Sequence, residues 1–133
     1  MSSYIVPEDL RYSKDHEWVR IEGSIAIVGI TDYAVKSLHD IVYVSLPKIG
    51  STIPKGLVAA TVESIKAVSE VYNPISGTVI EVNKDLETSP EKINESPYEA
   101  GWLFKLNPTN LKEDIEKLFS SKQYLEYLSS LKK

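Results

Sequence analysis

Short runs in which apolar and polar residues alternate fill the first hundred positions, and each run stops at a turn-forming residue. Period-two alternation places every second side chain on one face of an extended strand, so strands with one buried face are the predicted elements. Trp18–Ile21 and Ser24–Ile30 flank Glu22-Gly23 and read as a hairpin. Thr31 is placed to cap a brief helix from Asp32 to about Leu38, with Asp32 in the first turn, where the helix dipole favours an acid. Ile41–Leu46 is a further β-rich run that stops at Pro47, with turns following at Gly50 and at Pro54-Lys55-Gly56. Leu57–Ser64 and Ala67–Tyr72 extend on either side of a short tip, Ile65-Lys66. Val58, Ala60 and Val62 alternate in the first of these runs, as do Ala67, Ser69 and Val71 in the second. Asn73-Pro74 and Ser76-Gly77 turn the chain into a strand at Thr78–Val82. A polar connection over 83–101, with a helical turn near Glu91–Asn94, leads to a last strand at Trp102–Leu106 that ends before Asn107-Pro108.

The period then changes. Leu111, Ile115, Leu118 and Phe119 lie at helical spacing behind a cap at Thr109 or Asn110, and Tyr124, Leu125, Leu128 and Leu131 resume it after a break near Ser120-Ser121. Two short helices packed on a β core are expected, as one domain over 1–133 with its core at about 12–106 and its helical segment at about 110–131. A chain of 133 residues can bury about two-thirds of the surface it exposes when unfolded, enough for one core.

Composition narrows the chemistry. The net charge of −4 leaves no electrostatic footprint for nucleic acid, and no apolar run reaches the length of a membrane span. Met1–Leu10 has neither the basic nor the apolar region of a secretory signal, so the cytoplasm is the expected compartment. The absence of cysteine removes disulfides, zinc ribbons, iron–sulfur clusters and thiol nucleophiles. His16 and His39 are the only histidines, and neither sits in a motif that pairs it with a nucleophile. Asp15-His16-Glu17 supplies too few converging ligands for a metal. No phosphate-cradling glycine loop is present.

Lys66 stands apart. At a hairpin tip its four-carbon stem projects into solvent, which suits a lysine that another enzyme must reach better than a buried Schiff-base lysine. Position alone favours the plainer reading, a charged turn residue that keeps a hairpin soluble. Gly50, sixteen residues before Lys66, and Gly77, eleven after it, complete a pattern that resembles the lipoyl and biotinyl carriers. Biotinyl domains present Met-Lys-Met, whereas this chain has Ile65-Lys66-Ala67, which favours lipoate.

Five further segments, in order, are similar to the glycine cleavage system H protein family: Tyr12–Val19, Val28–Ala34, Val62–Ala67, Asn73–Gly77 and Ser96–Leu103. The resemblance implies a mainly β fold, a lipoyl-type barrel-sandwich hybrid of hairpins with a short internal helix and C-terminal helices. It implies lipoic acid in amide linkage on Lys66 and a non-catalytic carrier. Such a carrier takes an aminomethyl group from the P protein (glycine decarboxylase) to the T protein (aminomethyltransferase), and reducing equivalents to the L protein (dihydrolipoyl dehydrogenase). Glu63 matches a position used by the lipoylating enzyme, and Gly50 and Gly77 match the turns that present the lysine. Glu17, Glu70 and Asp15 match contacts of the loaded arm. Trp18, Tyr98 and Trp102 read as core aromatics. His39 stands where the family commonly has glycine, and Val68 is bulkier than the usual residue there. The same features would also serve an H-like lipoate protein of sulfur-compound oxidation or lipoate relay, and an unmodified interaction module is the reading from another class.

Overall fold

The structure, a computed structural model, describes residues 4–131. Among these residues nine strands form two antiparallel sheets. The larger sheet contains β1 (Arg11–Tyr12), β2 (Glu17–Glu22), β3 (Ile25–Ile30), β5 (Thr52–Ile53), β8 (Gly77–Val82) and β9 (Phe104–Pro108), in the spatial order β1-β2-β3-β9-β8-β5. The smaller contains β4 (Ile41–Ser45), β6 (Val58–Ser64) and β7 (Val68–Tyr72), with β6 in the middle. The sheets do not join into a closed barrel, and the fold is mainly β, compatible with a barrel-sandwich hybrid. Five helices accompany them: α1 (Asp32–Leu38), α2 (Asp85–Thr88), α3 (Lys92–Glu95), α4 (Leu111–Glu116) and α5 (Ser121–Ser130). Among the described residues no helix is long and apolar enough to cross a membrane.

The alternating runs form strands because each gives one face to a shared interior. Val28, Val44, Val62, Val71, Val79 and Leu106 meet there, all buried. Burying a side chain of this size contributes about 1.5–3 kcal/mol, so the period-two pattern dictates which way each strand faces. Val58 departs from the pattern. A bulge between Val58 and Ala60 leaves Val58 exposed while Ala59 and Ala60 are both buried, because an extra residue reverses the alternation beyond it.

Other departures are local. Strands β1 and β5 have two residues each, too short for any period to show. Trp102 is half-buried and precedes β9, which runs on through Asn107 to Pro108, where it faces Gly77. The missing proline N–H costs little at a strand end. The 83–101 connection holds α2 as well as α3, with Leu86 and Ile93 fully buried beneath them.

The C-terminal helices break at Ser120 for a stated reason. Its hydroxyl accepts from the Gln123 N–H, and the Gln123 side chain accepts from the Ser120 N–H, a capping box that starts α5 anew. Helix α5 covers a second, aromatic cluster in which Tyr12 and Tyr124 stack at 4.7 Å beside buried Trp18 and Tyr98. Backbone bonds between Tyr12 and Phe119 tie β1 to the segment before α5.

Helix α1 begins as its sequence predicts, with the Thr31 hydroxyl accepting from Ala34 N–H. It ends on His39, whose φ of 66° and ψ of −145° lie where glycine is at ease and a branched backbone is strained. The His39 ring is exposed, so the strain is not repaid by packing. His39→Gly is expected to raise stability by about 1 kcal/mol, the relief of strain exceeding the added flexibility of the unfolded chain. A rise in the urea midpoint at unchanged slope checks it.

Candidate functional site

Lys66 stands at the tip of the β6–β7 hairpin, exposed, as is the adjoining Ile65. The tip is a two-residue turn closed by Ser64 N–H donating to Ala67 C=O at 2.8 Å. The buried Ser64 hydroxyl accepts from the N–H groups of both Lys66 (3.2 Å) and Ala67 (3.1 Å), the local habit of a serine at a turn. Ile65 N–H donates to Asp40 C=O behind the turn. The Asn94 side chain fixes that support, donating to His39 C=O and accepting from Ile41 N–H, both within 2.9 Å. A polar connection thus steadies the lysine from 28 residues away in sequence.

The opposite end of the hairpin is closed by β5 and β8, through the pairs Thr52↔Thr78 and Ile53↔Gly77. Gly77 is a strand residue here rather than part of a free turn. A Cβ at this position would lie 2.7 Å from Asn107 C=O, so glycine is what lets β8 approach β9. Gly50 lies in the turn into β5 with φ of +93°, its N–H bonded to Val79 C=O at 2.8 Å. Neither glycine touches the tip. Both act on the base from which the hairpin rises. Asn73, fully buried, finishes that base: its backbone exchanges bonds with Gly56 and Leu57, and its amide donates to Ile53 C=O.

Beside the base lies a cleft of about 680 Å³, walled by Ser13, Asp15, Lys55, Tyr72 and Phe119. Glu17 forms part of its floor, only 1% exposed. One carboxyl oxygen accepts from the Ser13 hydroxyl, and the other accepts from Tyr72 N–H at 3.0 Å. Burial nevertheless pushes Glu17 up to about 7, because loss of hydration outweighs those hydrogen bonds. Asp15 is exposed on the wall. Glu70 is exposed on β7 and accepts from the Tyr72 hydroxyl at 3.0 Å.

The structure therefore spreads the sequence-derived residues over separate places. Glu63 and Lys66 stand at the tip, Gly50 and Gly77 at the hairpin base, and Glu17 and Asp15 at the cleft, where Tyr72 joins them. Glu70 lies between tip and cleft, four residues and about 13 Å of extended strand from Lys66. Ser64, Asn73, Tyr72 and Asn94 were not singled out from sequence. Only Ser64 carried a usable signal, a hydroxyl residue two positions before a tip.

The sequence profile described as Glycine cleavage H-protein matches residues 10–131. The chain belongs to the glycine cleavage H-protein family. It is 54% identical over 132 residues to a probable glycine cleavage system H protein of Pyrococcus furiosus, covering 98% of each chain. It is 48% identical over 118 residues to a glycine cleavage system H protein of Acinetobacter baumannii, covering 89% of this chain and 94% of that one. A crystal structure of a glycine cleavage system H protein from Mycobacterium marinum superposes with a TM-score of 0.83 at 36% identity, over 96% of this chain and all of that one. Members of this family are carrier proteins, and the two-sheet architecture described above is the family's fold.

Glu17 makes the fold pH-dependent in a stated direction. An unfolded glutamate titrates near 4.5 and the folded one near 7, so between these values the native state holds a proton that the unfolded state has lost. The stabilisation is complete below about pH 4.5 and is lost as pH rises through 7, amounting to about 3 kcal/mol in all. Glu17→Gln can still accept from Tyr72 N–H through its oxygen while its amide donates to the Ser13 hydroxyl oxygen, and it does not titrate, so its stability should stay flat across this window. Urea unfolding of both proteins from pH 5 to 8 checks the difference.

Proposed function

We propose that the chain is a lipoyl carrier of the glycine cleavage system, bearing lipoic acid in amide linkage on Lys66. The observation that carries this reading is the braced hairpin: an exposed primary amine on a turn held by Ser64 in front and Asp40 behind. A lysine so placed keeps its stem free while its backbone stays fixed, which suits a residue that one enzyme must acylate and several others must then visit. The residues present fit the group, since an exposed amine can take the amide link and a cleft opens along the same strand. Lipoate would supply the sulfur chemistry of group and electron transfer that a chain without cysteine lacks.

The chain's own residues then present, shelter and release. Glu63 is the recognition residue beside Lys66, and Gly50 and Gly77 hold the hairpin base so that the tip is presented in one orientation. Glu17 and Glu70, with Asp15 at the wall, are the acids that would meet a cationic amine brought into the cleft. A carboxylate–ammonium hydrogen bond is among the stronger polar contacts available. Lys55 and the other polar walls keep that region hydrated enough for the amine to enter with its charge. In this reading the P protein loads the aminomethyl group, the T protein removes it and the L protein withdraws electrons, the carrier itself catalysing nothing. The glycine cleavage names of relatives near 50% identity over almost the whole chain favour this pathway over sulfur-compound oxidation.

Expression with lipoate and an active lipoylating enzyme is expected to add the mass of one lipoyl group to the intact chain. Lys66→Ala should remove the gain and abolish glycine decarboxylation in a system reconstituted from the four proteins. An unmodified wild-type chain, or a Lys66→Ala variant that still supports decarboxylation, would falsify the reading.

A further inference from the structure

The turn from Ser13 to Glu17 has two sides with different partners. Ser13, Asp15 and Glu17 line the cleft. The back of the turn and the residue leading into it are bound by the C-terminal segment at three alternate positions. Tyr12 exchanges backbone bonds with Phe119, at 2.9 and 2.7 Å. Lys14 C=O accepts from the Tyr127 hydroxyl at 3.1 Å. The His16 ring meets the Tyr124 hydroxyl through Nδ1 at 2.8 Å. The segment that makes these bonds also supplies Lys117, Leu118 and Phe119 to the cleft lining.

His16 needs such a hold. Its φ of 71° lies in the left-handed region, which a residue with a Cβ keeps only when its surroundings impose it. Thr31 N–H fixes its carbonyl at 3.0 Å, and its ring packs against Tyr33 with centroids 4.5 Å apart. Tyr124 closes the set. It is fully buried, and its hydroxyl lies 2.8 Å from Thr31 Oγ1 as well as from His16. With His16 neutral, as its burial favours, every proton has a use: Ala34 N–H donates to Thr31, Thr31 to Tyr124, and Tyr124 to His16 Nδ1. The ring of Tyr124 stacks on Tyr12 at 4.7 Å, and a phenylalanine would stack as well without burying a hydroxyl. What the hydroxyl adds is a fixed position for His16. Glu17 is the next residue, its N–H and its carboxyl both tied to Ser13 at the start of the turn.

We propose that Tyr124 is a positioning residue for the arm, its hydroxyl holding the Ser13–Glu17 turn in the geometry that admits the loaded end to the cleft. The inference rests on the carrier reading and goes beyond it by giving the C-terminal helix a part in sheltering rather than in packing alone. Glu17 is set from two directions. One carboxyl oxygen follows β7 through Tyr72 N–H, and the other follows the turn through Ser13. Of the two, the turn is the part that can shift, because Tyr72 belongs to a paired strand. Freed from Tyr124, His16 relaxes toward an ordinary negative φ, which re-aims the chain entering Glu17 and separates its carboxyl from Ser13. Water then reaches both the carboxyl and whatever the cleft holds.

The test has one readout on the unmodified chain and one on the loaded carrier. In the unmodified chain the Glu17 carboxyl is followed by carbon-13 NMR through a pH titration. Tyr124→Phe is expected to bring its midpoint about one pH unit below the wild-type value near 7, since burial is the main cause of that value and water regains the site. Asp15 and Lys55, the charged groups that act on Glu17, are the same in both proteins. The second readout uses carrier that has been lipoylated, loaded by the P protein and separated from it. Its aminomethyl group is lost to water as formaldehyde and ammonium with the thiol restored, one water supplying the oxygen and both protons. Tyr124→Phe should speed this loss about tenfold, the scale of one hydrogen bond. Tyr127→Phe, which removes only the exposed bond to Lys14 C=O, should speed it about twofold. Tyr12→Phe is the packing control, because it still stacks on Tyr124 and its hydroxyl serves Pro7 C=O, outside the turn. It should lower the urea midpoint and leave both readouts at wild-type values. A Tyr124→Phe carrier that loses the group at the wild-type rate overturns the proposal, however its stability changes. The same acceleration in Tyr12→Phe also overturns it, by showing a general loosening. If Tyr124→Phe does not fold, wild-type readouts from Tyr127→Phe overturn it. A wild-type chain that takes no lipoyl group removes the carrier reading instead, and the Glu17 titration still reports whether Tyr124 holds the turn.

Discussion

Everything at the lysine depends on a junction made elsewhere, the pairing of β5 with β8. Two short stretches meet there, and the chain between them has nowhere to go but outward as the β6–β7 hairpin. The junction holds because Gly77 lets β8 lie against Asn107 C=O at a separation no side chain would permit. The hairpin belongs to one sheet and its base to the other, so the core between the sheets fixes the direction in which the tip points. Asn73 converts this arrangement into a rigid post, binding both chain crossings of the base through its backbone and its amide. A lysine on a loop of equal length would have the same reach and no defined bearing.

The cleft obeys a different physical rule. Glu17 is held by two good hydrogen bonds and still cannot recover the hydration it lost, which is why burial dominates its titration. Its partner at Tyr72 is a backbone N–H, so its position follows the strand rather than any side-chain rotamer. The hairpin tip with Lys66 adjoins the other end of the same strand. One rigid element therefore sets the distance between the lysine's backbone and the buried acid, while the amine moves on its own stem.

Much of this was legible in the residues. The alternation of Val62 and Val71, the cap at Thr31 and the tip at Ile65-Lys66 are local signals, and each was realised where local chemistry said it would be. Val58 was not legible because a bulge is an insertion relative to a partner strand, and no single strand records it. Strands β1 and β5 take their identity from partners rather than from composition. Gly77 was visible as a glycine, but its reason, a close approach to β9, appears only when the sheet is assembled. Asn94 was invisible for the same cause, since it supports the tip from a distant part of the chain by hydrogen bonds to a loop.

The aromatic seal at the C-terminus has a consequence for the order in which a ribosome completes the molecule. The lysine hairpin closes on neighbours within a few tens of residues, and its rear support is present once Asn94 has emerged. Tyr12 waits for Phe119, and His16 for the hydroxyl of Tyr124, 108 positions later. Contacts of such long span carry the larger entropic cost, since the chain must close a large loop before they reward it. The turn from Ser13 to Glu17 is pinned under α5 by these contacts, through Tyr124 and through Tyr127 to Lys14 C=O. The sheltering end of the carrier thus rests on contacts that span nearly the whole chain, whereas the tip of the presenting end is closed by local ones.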